Sequence, residues 1–239
     1  MRILYIPTFN KITDIDIFFK NKKELKTKNP EIIIVSGGDG SLLHAMQNYW
    51  SYNVPFLGIA AGTKNFLMSD FSLEEIIEIA KMSKKEFTKK YSLITTRSMK
   101  VLVNRVKSNG EKNIIFSSVA FNDIILGGSV MDFNKFSIRN GIIKGMGILI
   151  STPLGSTAFN ANNNGEIIRN LSSKKKIFST LVSENNFKQI IKKIPKIKIL
   201  SERNNVSLYV DGTTKIFTLK YRDIVSVKPH TKHTLVRKK

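Results

Sequence analysis

A carboxylate stands among glycines in the segment Ser36-Gly37-Gly38-Asp39-Gly40-Ser41. An apolar run at 32–35 precedes the segment and a helix-like stretch follows it, so we expect it where a strand passes into a helix. Glycines let the backbone turn sharply and approach a phosphate, and the free N–H groups of a helix start favour negative charge. Phosphates would repel Asp39, which indicates that this carboxylate orients a hydroxyl, accepts its proton or holds a metal. Gly-Gly-Asp-Gly is also ordinary turn chemistry, and both interpretations stay open on this segment alone.

Two later segments carry polar groups suited to a nucleoside. Asn122 and Asp123 interrupt an apolar run, and an amide beside a carboxylate can accept from two vicinal hydroxyls and from an exocyclic amine. Taken alone, the pair is better explained as a simple turn, because Asn and Asp are common turn residues. The second segment, residues 151–160, reads Ser-Thr-Pro-Leu-Gly-Ser-Thr-Ala-Phe-Asn. Its hydroxyls and turn residues would arrange N–H groups around a ligand at the start of a helix.

Two kinds of pattern must position these segments. Strands at 2–6, 31–36 and 54–59 alternate with helical patterns, among them a capping box at Ser72–Glu75, which predicts a parallel sheet covered by helices. From Tyr91 onward, alternating residues and hairpin signals such as Ser108-Asn109-Gly110-Glu111 predict antiparallel strands. We therefore expect an α/β domain at 1–90, an all-β domain at 91–227 and a loosely ordered basic tail at 228–239.

Composition limits the possible partners. The 239 residues include 39 basic and 18 acidic side chains, a net charge of +21. Nucleic acid, a polyanionic small substrate drawn in by the field, and a coding bias towards Lys, Asn and Ile are the alternatives, and the scattered lysines favour the last. The absence of cysteine and the presence of only three histidines argue against thiolate or histidine metal cages. We see no signal peptide or membrane span, and we expect a cytoplasmic protein without nucleic-acid or membrane partners.

Taken together, the three segments resemble the signature of NAD kinases. Gly-Gly-Asp-Gly, then an Asn-acid pair, then Thr-Pro-x-Gly-Ser-Thr-Ala-aromatic occur in the family's order and at roughly its spacing, between residues 31 and 165. The resemblance implies an N-terminal α/β domain, an all-β C-terminal domain and an active site between them, in homodimers or homotetramers. It implies phosphoryl transfer from ATP, or in some members polyphosphate, to the 2′-hydroxyl of the adenosine ribose of NAD, giving NADP. Mg²⁺ would arrive with the nucleotide phosphates rather than in a protein cage.

The resemblance also assigns roles to residues. Asp39 corresponds to the catalytic aspartate that orients or deprotonates the 2′-hydroxyl. The implied NAD contacts, with no protein metal ligand among them, are Gly38, Gly40, Phe66, Asn122, Asp123, Lys144, Met146, Thr157, Ala158, Phe159 and Asn162.

This chain departs from the family pattern at several of these positions. Asp123 replaces the usual glutamate, Phe159 the common tyrosine, and Met146 the aspartate of a Gly-Asp-Gly that follows a basic residue, here Lys144. We expect the methionine to weaken or alter NAD recognition rather than abolish activity. Two alternatives remain: a related kinase of a lipid or sugar hydroxyl, and a basic nucleic-acid-binding protein. The kinase alternative does not need the second and third segments together, and the nucleic-acid alternative leaves Asp39 without a role.

Overall fold

The structure is a computed structural model of the chain. It describes residues 1–7, 13–21, 27–61, 66–107, 110–128, 133–139, 141–202, 206–212 and 215–239. The chain divides into two compact units. The first comprises Met1–Thr96 and His233–Lys239, and the second comprises Arg97–Lys232.

The first unit is built on parallel strands. Strands β1 (Ile3–Ile6), β2 (Ile32–Gly37) and β3 (Phe56–Ala60) pair in that order, and the C-terminal end of β14 (Ile224–Lys238) adds beside β3, where Leu235 pairs with Phe56. Every residue of β2 is buried, as expected of a parallel strand covered on both faces. The loops after β2 and β3 therefore start from the same edge of the sheet.

Helices cover this sheet at α1 (Asp14–Asn21), α2 (Asp39–Tyr49), α3 (Leu73–Lys81) and α4 (Lys84–Lys90). The predicted capping box is confirmed: the Glu75 N–H donates to the Ser72 hydroxyl at 3.3 Å, and the Ser72 N–H donates to the Glu75 carboxylate at 2.8 Å. A second capping box, between Ser83 and Glu86, starts α4 and is not among the sequence predictions. Both boxes satisfy N–H groups that a helix start otherwise leaves unpaired.

The second unit is built almost entirely of antiparallel strands. Its central strand is β8 (Gly141–Ser151), which pairs with three neighbouring strands. The strands that complete the chain's set are β4 (Tyr91–Val106), β5 (Lys112–Ala120), β6 (Asp123–Gly127), β7 (Asn134–Ile138), β9 (Lys176–Ser183), β10 (Lys188–Ile191), β11 (Ile197–Ile199), β12 (Val206–Val210) and β13 (Lys215–Leu219). The α-helix that the structure describes here is α5 (Phe159–Asn162), which follows a 3₁₀ turn at Gly155–Thr157.

The second unit contains an ion pair whose acidic partner is buried. Arg105 on β4 makes two hydrogen bonds to Asp223, of 2.8 Å and 2.6 Å, and the Asp223 side chain is fully buried. The Lys220 N–H donates to the same carboxylate at 2.8 Å. These donors compensate a charge that would otherwise be costly to bury.

The predicted basic tail at 228–239 needs correction. Ile224–Lys238 form the single strand β14, and the buried side chains of Leu235 and Val236 belong to the first unit. The sequence pattern did not indicate this strand, because lysines are frequent in it and only a few apolar residues pack into the core.

One other sequence prediction, the hairpin turn Ser108-Asn109-Gly110-Glu111, falls partly outside the described residues, which omit Ser108 and Asn109. Within the described residues, none of the helices is both long and apolar enough to span a membrane.

Candidate functional site

The glycine segment forms the predicted junction between β2 and α2. Gly37 ends the strand with φ at 143°, a backbone conformation that residues other than glycine rarely adopt. Gly38 then precedes the first residue of α2, and its carbonyl accepts the Ser41 N–H at 2.9 Å. Gly40 is exposed, and a side chain there would meet no atom within 4 Å. The backbone at Gly40 is therefore open to an approaching ligand.

Two backbone amides orient the Asp39 carboxylate. The Phe66 N–H donates to Oδ2 and the Leu67 N–H donates to Oδ1, each at 2.9 Å. The Arg237 guanidinium on β14 donates to the Phe66 carbonyl, so both polar groups of that residue are held. A carboxylate has about four lone-pair sites, and two remain for a hydroxyl after these bonds. Asp39 thus anchors the loop after β3 and can still act on a ligand.

Asp211 organises the Asn122–Asp123 turn in the second unit. Its carboxylate accepts the N–H groups of Phe121 at 2.9 Å, Asn122 at 2.7 Å and Asp123 at 3.0 Å. Asp211 adopts φ at 48°, between β12 and β13, and its own N–H donates to the Asp123 carbonyl at 3.0 Å. One carboxylate therefore fixes three consecutive peptides of the turn.

Asp123 is a buried acid with a raised pKa. Asp123 is only 5% exposed to solvent. Burial, and then the charge of Asp211, raise the pKa of Asp123 from 3.8 to about 6, while a hydrogen bond from the Gly212 backbone opposes them. The Asp123 carboxyl group is therefore mostly ionised at neutral pH and gains a proton in mildly acidic solution.

The turn at 151–159 rests directly on Asn122. A Cβ atom at Gly155 would lie 2.1 Å from the Asn122 carbonyl oxygen, so only glycine permits this approach. The Thr152 N–H donates to the same carbonyl at 2.8 Å, and the Thr152 hydroxyl donates to the Phe121 carbonyl at 2.6 Å. The structure thereby brings the two predicted nucleoside segments together.

The same turn presents acceptors and a ring. The Asn122 Oδ1 atom is buried and has no hydrogen-bond partner among the described residues. Thr157 donates its hydroxyl to the Leu154 carbonyl at 3.2 Å and Ala158 follows it. Phe159 is 44% exposed and Asn162 is exposed, so both side chains are accessible from solvent. A buried acceptor and an accessible aromatic ring are both groups that suit a nucleobase.

Residues 17–87 match the family model of the ATP-NAD kinase N-terminal domain. The matched residues lie within the first unit. The NAD kinase from Rickettsia rickettsii (strain Sheila Smith) is 31% identical over 149 residues, which cover 60% of this chain and 53% of that protein. The NAD kinase from Rickettsia canadensis (strain McKiel) is 27% identical over 172 residues, covering 70% of this chain and 62% of that protein. The chain spans about half the length of the first of these curated relatives.

Solved NAD and NADH kinase structures share the fold. A yeast NADH kinase complexed with NADH superposes with a TM-score of 0.74 at 17% identity, covering 100% of this chain and 84% of that one. An NAD kinase from Archaeoglobus fulgidus in complex with ATP gives a TM-score of 0.68 at 17% identity, covering 100% of this chain and 94% of that one. The predicted fold class, an α/β part followed by a β-rich part, is confirmed.

Two of the residues that the resemblance assigns to NAD binding lie apart from the Asn122–Asp123 turn, called the nucleoside turn below. Lys144 and Met146 are on β8, whose other end at Ser151 pairs with Asp123. Seven residues of strand, at about 3.3 Å each, place Lys144 about 23 Å from Ser151 along β8. Lys144 forms an exposed ion pair with Glu184 at 3.5 Å. A contact of Lys144 or Met146 with NAD stays a prediction.

Sequence analysis missed two residues of the site. Asp211 is followed by Gly212 between two strand-like runs, so Asp-Gly indicated a hairpin turn but not the peptides that the carboxylate holds. Arg237 was assigned to the basic tail. The apolar residues Leu235 and Val236 could have indicated a strand there, but no local pattern connects Arg237 to Phe66.

Proposed function

We propose that this chain phosphorylates NAD at the 2′-hydroxyl of its adenosine ribose, with ATP as donor, to give NADP. The observation that carries the proposal is the double support of the Asn122–Asp123 turn, by Asp211 on one side and Gly155 on the other. That support fixes a nucleoside-type set of acceptors in a chain whose residues 17–87 match the family model of the ATP-NAD kinase N-terminal domain. The likeness to an NADH-bound and an ATP-bound kinase structure supports the assignment of both ligands.

The residues of the second unit hold the nucleoside in this proposal. The Asn122 Oδ1 atom accepts from an exocyclic amine, and the ionised Asp123 carboxylate accepts from ribose hydroxyls. Thr157 and Ala158 line the adenine and ribose, Phe159 stacks on a ring face, and Asn162 supplies a further polar contact. A buried acceptor regains on binding the hydrogen bond that it lacks among the described residues of the free protein.

The residues of the first unit carry the chemistry. Gly38 and Gly40 let diphosphate oxygens approach the backbone at the start of α2. Asp39, held by two amide donors, orients the 2′-hydroxyl and accepts its proton as the oxygen attacks the transferred phosphoryl group. Phe66 flanks the ligand from the loop that Asp39 anchors. Proton transfer and alignment are the main demands of this reaction.

Mg²⁺ fits this site as a companion of the nucleotide. No group of three or more His, Asp or Glu side chains among the described residues is arranged as a metal cage. The nucleotide phosphates would therefore supply most of the ligands of the ion. When bound, the ion neutralises phosphate charge.

The proposal extends to donor range, assembly and place of action. Polyphosphate is a second candidate donor, the active form is a homodimer or homotetramer, and the enzyme acts in the cytoplasm without nucleic-acid or membrane partners. Lys144 and Met146 contact a part of the dinucleotide other than its adenosine, because about 23 Å and about 17 Å of strand separate them from Ser151, which pairs with Asp123. Met146→Asp tests this contact, and we expect tighter NAD binding by calorimetry.

The test is NADP formation by purified protein with Mg-ATP, read with an NADP-specific dehydrogenase. Asp39→Asn should lower turnover by about 10²–10⁴-fold, as loss of a general base does. Asp14→Asn, an exposed change of the same chemistry in α1, is the matched control and should retain activity. Equal turnover by wild type and Asp39→Asn would reject the base assignment. Absence of NADP formation by wild type, with ATP and with polyphosphate, would reject the proposed reaction.

Met146 favours one other candidate, a kinase of a lipid or sugar hydroxyl. This chain has Met146 where a Gly-Asp-Gly aspartate is typical of NAD kinases. Thermal unfolding separates the two candidates, because NAD at low millimolar concentration should raise the melting temperature only if it binds the folded chain.

A further inference from the structure

Two basic side chains of the second unit, Arg97 and Lys176, donate to carbonyls of the same loop and have no acidic partner among the residues that the structure describes. Lys176, the first residue of β9, is only 4% exposed, and Arg97 is partly buried. Burial, and then the charge of Arg97, lower the pKa of Lys176. No ion pair among the described residues includes either side chain. Burying a cation next to another cation lowers stability, so the arrangement calls for an anion.

The hydrogen bonds of this pair leave donors unused. The Arg97 Nε–H donates to the Ser172 carbonyl at 2.8 Å, and the Lys176 ammonium donates to the Lys174 carbonyl at 3.1 Å. The terminal nitrogens of the guanidinium and two of the three ammonium hydrogens have no further partner among the described residues. Planar guanidinium and ammonium donors together are typical of phosphate recognition.

The pair lies beside the nucleoside turn. Lys176 immediately precedes Ile177, which pairs with Ser151, the residue before Thr152. On the other side, Arg97 stands two residues before Met99, whose partner Ala120 stands two residues before Asn122. Both cations therefore lie on strands that adjoin the Asn122 turn.

We propose that Arg97 and Lys176 form a phosphate subsite that takes the pyrophosphate or triphosphate chain of a nucleotide. Only the identity of that nucleotide rests on the proposed function. The competing explanation is structural: the two side chains tie down the carbonyls of the loop at 172–174. The two explanations predict opposite effects on stability.

The first experiment is calorimetric titration of inorganic pyrophosphate into the whole chain at about 0.15 M salt, the ionic strength at which the screening length falls to about 8 Å. Lys176→Met and Arg97→Gln should each weaken binding by about ten-fold or more, as expected for loss of a charged hydrogen bond. Lys112→Met and Arg139→Met remove exposed cations elsewhere and should leave the affinity unchanged within about two-fold. Absence of pyrophosphate binding by wild type, or equal losses in the control variants, would overturn the proposal.

Thermal unfolding of the same variants distinguishes the structural explanation from the phosphate subsite. Lys176→Met keeps the aliphatic stem and removes the buried charge, so its melting temperature should equal or exceed that of wild type. A lower melting temperature with unchanged pyrophosphate affinity would establish the structural role and overturn ours. Titrations with ATP and NAD then assign the phosphate chain, since the nucleotide whose affinity falls in Lys176→Met is the one bound there. None of these readouts requires turnover, so failure to form NADP would leave the subsite test intact.

Discussion

Replacing Asp123 by asparagine should stabilise the protein at neutral pH. The carboxylate is buried and faces the Asp211 charge, and its pKa is raised from 3.8 to about 6. Between these two pH values the folded chain binds more protons at this group than the unfolded chain does, so the free energy of unfolding falls as pH rises. Asparagine does not titrate and places no charge near the Asp211 carboxylate.

The size of the effect follows from the two pKa values. Above about pH 7 both the folded and unfolded carboxyl groups are ionised, and the penalty that asparagine removes reaches about 3 kcal/mol. At about pH 5 the folded group is mostly protonated, and the same relation leaves about half of that difference. Near pH 3 the two proteins should be equal in this respect.

Urea unfolding of wild type and Asp123→Asn, followed by circular dichroism at pH 5 and pH 8, measures this difference. Asp14→Asn is the control, because Asp14 is exposed at the start of α1 and its replacement should not give the same pH dependence. A difference that does not change with pH, or a variant less stable than wild type at pH 8, would refute the reasoning. NAD affinity should fall about ten-fold in the same variant, because ribose hydroxyls lose a charged acceptor.

Three further changes test other contacts. Arg105→Met should cost about 3 kcal/mol in urea unfolding by leaving Asp223 buried and unpaired; an effect below about 1 kcal/mol would contradict a role for the pair. Gly155→Ala should weaken NAD binding in calorimetry by about ten-fold, since its Cβ must displace the Asn122 backbone, and wild-type affinity would contradict that. Arg237→Met should free the Phe66 carbonyl and raise the NAD KM; an unchanged KM would limit Arg237 to packing.

Local patterns account for what the sequence predicted well. Strand β2 lies within one residue of its predicted bounds, and the expected passage from strand to helix at Asp39 is present, because apolar runs and turn residues act over a few positions. The box at Ser72 was predictable for the same reason. The sequence did not show which segments meet in space. Asp211 and Asn122 are 89 residues apart in the chain, and Arg237 and Phe66 are 171 residues apart. Only folding places those partners together.

Two energetic conflicts meet at the Asn122 turn. On one side Asp123 and Asp211 set two carboxylates near each other in a buried position, and on the other Arg97 and Lys176 set two cations near each other. Either pair would be more stable with one charge removed, yet each supplies what a nucleotide needs: an ionised acceptor for hydroxyls, and donors for phosphate. Charges that oppose folding while matching one ligand are typical of binding sites, where function sets the residue and the rest of the fold compensates. The opposite signs of the two pairs near one turn thus argue for one polar ligand that carries both hydroxyls and phosphates.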